Sequence, residues 1–332
     1  KIPMSGKRYK VFFIAEIASS HNGSKKNLQK LVENLIDTNV DGIKLQIFSY
    51  QNLVHKSYKY YDVLKRISLP KTFIEKIIHF ILKAKKEVIL EPFDDESLKF
   101  CKKFRNKVSI KISSSDNSNK QLINEALSAF RNVFISISAM DLKKIKKILG
   151  KNIKNKKIIL TYGFQSFPTK LHDLRLNFIK KLQKAKYRIC YADHTSAESL
   201  IDNILVINKA IHNGSKYIEK HVTLDRNKGY PDSDSSLKVK EIKELISFFN
   251  KKIPNKSFIS KNEKKYSKNM TRYAVLNTNV NKNQKFKIED VSFLRTGQKG
   301  ITKDQIEKFK DIKYNNYFKN NEILKKEFFF KK

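Results

Sequence analysis

Residues Lys10–Thr38 read KVFFIAEIASSHNGSKKNLQKLVENLIDT, and their pattern decides the fold. Lys10–Ala18 is an apolar, aromatic and β-branched run suited to a buried strand. After it, Lys25–Thr38 sets Leu28, Leu31, Val32, Leu35 and Ile36 on one face, at the period of a half-buried helix. The turn between them, Ser20-His21-Asn22-Gly23, lacks the glycines with which an open doubly wound sheet cradles a phosphate. The same rhythm recurs downstream. Further strands are expected at Gly42–Phe48, Val88–Phe93, Val108–Ser113, Asn132–Ser138, Lys157–Gly163, Tyr187–Asp193 and Tyr217–Thr223. Helices are expected at Lys71–Lys85, Asp95–Phe104, Asn119–Ala129, Leu142–Leu149, Leu171–Lys184, Ala197–Asn213 and Val239–Asn250. Eight strand–helix units in about 250 residues match the count and size of an α/β fold, the (β/α)8 TIM barrel.

From Lys251 the pattern changes. Residues 1–251 are expected to form the barrel, 252–271 a polar, Lys-rich linker, and 272–332 a small second domain. The last contains strand-like pieces at Tyr273–Leu276 and Val291–Leu294 and is small enough to need a partner to pack on. The Phe328-Phe329-Phe330 tail is expected to meet a partner subunit.

Seventy Lys and Arg against 32 Asp and Glu give a formal charge of +38, yet only nine of the basic residues are Arg. Nucleic-acid readers favour the forked guanidinium, whereas lysines scattered through every segment read as solvated faces. The charge therefore implies weak, salt-sensitive attraction to polyanions and no specific nucleic-acid site. No apolar run approaches the roughly 18 residues of a membrane helix, and Val11–Ala15 stops at Glu16. Two cysteines, Cys101 and Cys190, show no pairing pattern and read as buried small hydrophobes of a cytoplasmic protein.

In barrels of this type chemistry gathers at the C-terminal ends of the strands. Here those ends are unusually polar. Strand one gives Glu16 and then His21, strand two Lys44 and Gln46, strand three Glu91 and Asp94. Strand four gives Lys111, Ser113, Ser114, Ser115 and Asp116; strand five gives Ser136 and Ser138; strand six gives Gln165 and Ser166. Strand seven ends at Asp193-His194-Thr195, and strand eight carries Glu219, Lys220 and His221. Interior charges are costly unless paired or used. Neighbouring strands bring His194 and His221 together, and two imidazoles beside carboxylates suit a divalent transition metal with open positions. Lys44 and Lys111, with the Ser113–Ser115 run, offer cations and hydroxyl donors to a phosphate or carboxylate. His55, His79, His172 and His212 lack partner spacing and read as surface or capping residues.

Several of these segments, taken in order, resemble the sialic acid synthases and related nonulosonate synthases. They are Ala15-Glu16-Ile17 with His21-Asn22-Gly23, Lys44-Leu45-Gln46, Pro92-Phe93-Asp94, and Lys111 with its serines. Phe167-Pro168-Thr169, Asp193-His194-Thr195, Glu219-Lys220-His221 and Pro231-Asp232 follow. Beyond the linker, Glu289-Asp290-Val291, Arg295 and Gly300-Ile301 resemble the small antifreeze-like (SAF) domain of these enzymes. The resemblance implies condensation of phosphoenolpyruvate with a six-carbon amino sugar, N-acetylmannosamine by default, to a nine-carbon keto acid and phosphate. It implies a domain-swapped homodimer in which the small domain caps the partner's site and delivers Arg295. By the same resemblance His194 and His221 are metal ligands, for Mn2+ or else Mg2+ or Co2+. Lys44, Lys111, Ser114, Ser136 and Ser138 contact phosphoenolpyruvate, and Glu16, Asp116 and Glu219 are the catalytic carboxylates. Gln46, Glu91, Gln165, Phe167, Asp193, Asp232 and Arg295 face the sugar.

The chain departs from the commonest family pattern in places. Glu91 stands where threonine is usual, Asp116 where glutamate is, Ser20 where asparagine is, and Ile137 where a serine would align. The Tyr162–Phe167 strand end differs as well. These changes bear on the sugar, since unmatched buried polar groups discriminate strongly between substrates. Legionaminate-, pseudaminate- and spore-polysaccharide-type sugars are the alternatives. A polyanion-binding barrel without enzymatic activity is the alternative from another class; it would bind nucleic acid with steep salt dependence and release no phosphate.

Overall fold

A computed structural model describes residues 11–163, 166–251 and 259–330. The chain divides into two compact units, Lys1–Lys251 and Lys252–Lys332.

The first unit is a closed parallel barrel. Its strands are β1 (Phe12–Glu16), β2 (Gly42–Ile47), β3 (Glu87–Pro92), β4 (Ser109–Ile112), β5 (Val133–Ser136), β6 (Ile158–Tyr162), β7 (Ile189–Asp193) and β8 (Tyr217–Thr223). They pair in chain order, and β8 closes on β1 from Phe12 opposite Tyr217 to Glu16 opposite His221. A two-residue strand, β9 (Leu237–Lys238), adds to β8. Around the barrel run α1 (Lys25–Ile36), α2 (Tyr50–Leu53), α3 (Tyr61–Ile67), α4 (Lys71–Lys83), α5 (Asp95–Lys102), α6 (Lys120–Ala129), α7 (Leu142–Leu149), α8 (Leu176–Lys184), α9 (Leu200–His212) and α10 (Val239–Asn250).

The pleat sorts each strand into two faces. Outward residues such as Ala15, Ile43, Leu45, Val88 and Leu90 pack with Leu28, Leu31, Leu35, Ile74 and Ile78 of the helices. Inward residues Ile14, Ile89, Phe134, Ile159 and Cys190 form a second, separate apolar cluster inside the barrel, with Phe12 and Tyr217 against it. At the N-terminal end of the strands a polar ring backs this cluster. Ser109 donates to Glu87 at 2.6 Å, and Arg188 donates to Tyr217 and to Asn132. The C-terminal end is the polar one, and short side chains start the helices there. Ser24, Asp94, Asn119 and Asp141 each accept the backbone N–H three residues on, capping α1, α5, α6 and α7. Gly23 takes φ +80°, and a Cβ there would meet the Arg66 carbonyl at 2.1 Å, so this turn requires glycine.

The structure differs from the sequence expectations in several elements. β8 keeps its expected bounds and β3 its expected length, whereas the other barrel strands are shorter than the apolar runs. The helix expected from Leu171 starts at Leu176, after a 3-10 turn at Leu171–Asp173. Helices α2 and α3 are too short to show a period and were not foreseen. Cys101 and Cys190 are buried free thiols, as expected. Among the described residues no helix is long and apolar enough to cross a membrane.

In the second unit, α11 (Lys261–Met270) occupies part of the segment expected to be a linker. Its driver is a capping box: Ser260 accepts from Glu263 N at 3.1 Å, and Glu263 accepts from Ser260 N at 3.2 Å. β10 (Arg272–Leu276) pairs antiparallel with β11 (Val291–Arg295). Their core gathers Leu276, Val280, Phe286, Ile301, Tyr314, Leu324 and Phe329. Much of the aromatic tail packs inside this unit. Phe328 stacks on Phe318 with centroids 3.8 Å apart, and Phe329 lies 5.2 Å from Tyr314, leaving Phe330 exposed.

Candidate active site

Register brings five charged side chains into the barrel interior. Glu16 of β1 lies opposite both Lys44 of β2 and His221 of β8, while Glu91 of β3 lies opposite Gln46. Lys111 comes from β4 and Glu219 from β8. None of the five is more than 7% exposed. The Lys44 ammonium pairs with Glu16, with Glu91 at 2.7 Å and with Glu219 at 3.1 Å. Lys111 donates to the same Glu219 oxygen at 2.6 Å and stands 4.0 Å from Glu91. Glu16 also accepts from Ala18 N at 2.7 Å. Three carboxylates thus surround two ammonium groups, a buried cluster one negative charge out of balance.

Beside it stand two imidazoles. His194 follows β7, its backbone carbonyl accepting from Thr169 N at 2.8 Å and from the Ser235 hydroxyl at 2.9 Å. Its ring centroid is 5.4 Å from that of His221, and Phe167 packs against both rings, at 4.3 and 5.5 Å. Burial, with His194 and Lys44 adding to it, holds the His221 pKa well below the ordinary value. His221 Nδ1 and Glu219 Oε2 are buried without a hydrogen-bond partner among the described residues. His21, lowered to about 4 by burial, accepts from Gly23 N at 3.0 Å.

Other expected site residues sort differently. Asp232, left-handed at φ +65° in the loop after β8, has its pKa raised by burial and opposed by Lys44, which puts its carboxyl within reach of the cluster's field. Gln46 is half-buried, and Ser136 is buried at the end of β5. Asp193 does not face the interior. Period two turns it outward with Lys220, and it accepts from Lys220 at 2.8 Å and from Thr195 and Tyr191 hydroxyls at 2.8 and 3.2 Å. Its expected contact with a sugar is therefore replaced by a framing role. The same alternation, applied to β7 and β8, would have revealed that pair in the sequence. The Ser138 hydroxyl donates to the Gly163 carbonyl at 2.6 Å, which binds one loop to the next. Asp116 accepts from Ser113 and Ser115 at 3.0 and 2.8 Å and lines a cleft with Pro92, Asp94 and Glu125; Ser114 is exposed. Gln165 lies outside the described residues. Arg295 ends β11 in the second unit, exposed and opposite Arg272. His55, His79, His172 and His212 are all exposed.

The family model described as the NeuB family matches residues 31–264. The chain belongs to the NeuB family. Among its relatives, an N,N'-diacetyllegionaminic acid synthase of Campylobacter jejuni is 28% identical over 257 residues, covering 72% of this chain and 75% of that one. An uncharacterized protein of Methanocaldococcus jannaschii is 28% identical over 306 residues, covering 88% and 87%. The solved N-acetylneuraminic acid synthetase of Leptospira borgpetersenii superposes with a TM-score of 0.65 at 23% identity, over 78% of this chain and 92% of that one. That likeness establishes the fold, a barrel of the kind found in NeuB-type synthases.

The ion cluster of this NeuB-family barrel also sets its acid response. Burial pushes the Glu219 carboxyl up, but Lys111 and Lys44 more than reverse this and hold its pKa below the ordinary range. A depressed carboxylate stabilises the fold fully above its unfolded value, roughly 4.3, and loses that contribution as pH falls toward the folded value. The thermal midpoint of the wild type is therefore expected to fall below about pH 4–5. Glu219→Gln, starting lower, should fall less steeply, as followed by circular dichroism; parallel slopes would remove Glu219 from the explanation.

Proposed function

We propose that the chain is a nonulosonate synthase that condenses phosphoenolpyruvate with N-acetylmannosamine or a related six-carbon amino sugar, giving a nine-carbon 2-keto acid and phosphate. The observation that carries this reading is the buried Lys44–Lys111 pair with its carboxylates, set beside His194 and His221 at the catalytic end of the barrel. Membership of the NeuB family and relatives named as nonulosonate synthases support it.

The donors fit a divalent cation, Mn2+ by family resemblance. Burial disfavours protonation of His221, which has an unpartnered buried nitrogen among the described residues; His194 lies beside it, and a Glu219 oxygen is unpartnered too. Among the described residues no group of three or more His, Cys, Asp or Glu is arranged to hold a metal alone, so His194 and His221 would hold it with positions left for substrate. Bound there, the cation would polarise the aldehyde of the open-chain sugar and offset negative charge on its oxygen.

The rest falls to the chain's own groups. Lys111 has hydrogens to spare for the phosphate or carboxylate of phosphoenolpyruvate, and the buried pair orients its methylene carbon toward the aldehyde. Carbon–carbon bond formation leaves an electron-poor carbon that takes up water before phosphate departs. Glu16, in the interior with one oxygen on Ala18 N, suits the holding of that water and its proton better than Asp116, which is tied up in the turn after β4. In this reading the second unit is the antifreeze-like cap, and Arg295 is what it delivers to a partner's site in a homodimer.

The test is incubation with phosphoenolpyruvate, Mn2+ and a panel of 2-acetamido and 2,4-diacetamido hexoses, following phosphate release and product mass. One sugar should release phosphate and yield a nine-carbon acid, and a chelator should stop the reaction until Mn2+ is restored. Silence across the panel would overturn the assignment.

A further inference from the structure

The Lys44 ammonium donates to Glu91 and Glu219 and forms an ion pair with Glu16. An anion arriving at this ammonium finds three carboxylates already in ion-pair range of it. The three partners are not equally anchored. Glu16 is held by Ala18 N as well as by Lys44, and Glu219 bridges both lysines through one oxygen at 3.1 and 2.6 Å. Glu91 accepts one hydrogen bond, from Lys44, and stands at the outer limit of pairing with Lys111 at 4.0 Å. Its carboxylate is thus spread across the two ammonium groups with no backbone or hydroxyl donor to fix it among the described residues. It occupies the place that a phosphate or carboxylate bridging the same two lysines would take.

We propose that Glu91 is a built-in counter-ion, displaced when the anionic substrate binds, and that it sets the affinity of the lysine pair for phosphate-bearing ligands. The charge count explains why displacement is required. With three carboxylates already facing two ammonium groups, a multiply charged anion added beside Glu91 would meet uncompensated like charge in a buried setting, where screening is weak. Swinging Glu91 away removes one negative charge from the lysines and frees one hydrogen on Lys44 at the same moment. Binding of the anion is then an exchange of carboxylate partners, weaker than capture by an open pair. The inference rests on the proposed substrate only for its phosphate and carboxylate groups.

The test is isothermal titration of the full chain with inorganic phosphate and, separately, phosphoenolpyruvate, without sugar. Wild type is compared with Glu91→Gln, which keeps the shape, and Glu91→Thr, which also relieves volume should the amide fail to fold. Either folded neutral variant should bind both ligands at least about tenfold more tightly than wild type, a change of about 1.4 kcal/mol or more, while Glu91→Asp should stay near wild type. Structural damage would weaken binding, so tightening is a readout that mere destabilisation does not produce. Equal or weaker binding in the neutral variants, with phosphoenolpyruvate still binding to wild type, would overturn the counter-ion role and leave the proposed substrate standing. Tightened binding of phosphate with no binding of phosphoenolpyruvate would uphold the counter-ion role and overturn the substrate. Absence of binding by either ligand to every variant would overturn both.

Discussion

Lys44→Met should cost the barrel about 3–5 kcal/mol of stability, the loss typical of removing one member of a buried ion network. Methionine matches the length of the lysine stem closely enough that no large cavity opens, so the loss is electrostatic in origin. Glu16, Glu91 and Glu219 would then face one another with Lys111 as their only ammonium partner in the cluster. Each was taken out of water on condition of being paired, and a buried unpaired carboxylate either repels its neighbours or binds a proton. Adding Glu91→Gln to Lys44→Met should recover part of the loss, because it removes one of the stranded charges. Urea unfolding of the three proteins measures this directly. A loss within 1 kcal/mol for Lys44→Met would mean that the cluster is far better solvated than its burial implies.

His221→Asn should cut turnover by roughly a thousandfold, the several kcal/mol that loss of charge stabilisation at a reacting carbonyl removes. Its folding should change little, since His221 Nδ1 has no hydrogen bond to lose among the described residues. His194→Asn should reduce turnover to a similar floor, and the double variant should be no worse than either single one, because two ligands of one ion act as a unit. Phosphate release with phosphoenolpyruvate and the best sugar of the panel gives the rates, and Mn2+ titration followed by electron paramagnetic resonance gives the binding. Single variants that keep more than a tenth of wild-type turnover, with Mn2+ binding intact, would show that the two rings serve only to pack against Phe167.

The barrel was legible because its signals are local. Lys10–Thr38 carries an apolar run, a polar turn and a helical stripe within one short stretch, and the same grammar repeats along the chain. Short helices such as α2 and α3 leave no such trace, and their positions depend on what they pack against. The rim residues were legible as a set, since lysines and glutamates within apolar strands need a reason to be there. Their pairing was not. That Glu91 reaches Lys44 and approaches Lys111 depends on the register of three strands, which no single segment encodes. Asp193 was misplaced because its motif outweighed the pleat that turns it outward. The contacts of Phe328 and Phe329 within the unit were not legible, because a run of aromatics shows its hydrophobicity but not that Phe318 and Tyr314 wait for it there.

The apolar plug of Ile14, Ile89, Phe134, Ile159 and Cys190, backed by the polar ring at the strands' opposite end, makes the barrel a blind well. In the proposed condensation, two reactants sharing one doorway would have to queue, the deeper-seated one entering first. For that reaction the closed floor would impose an order of events, independently of how tightly either molecule is held.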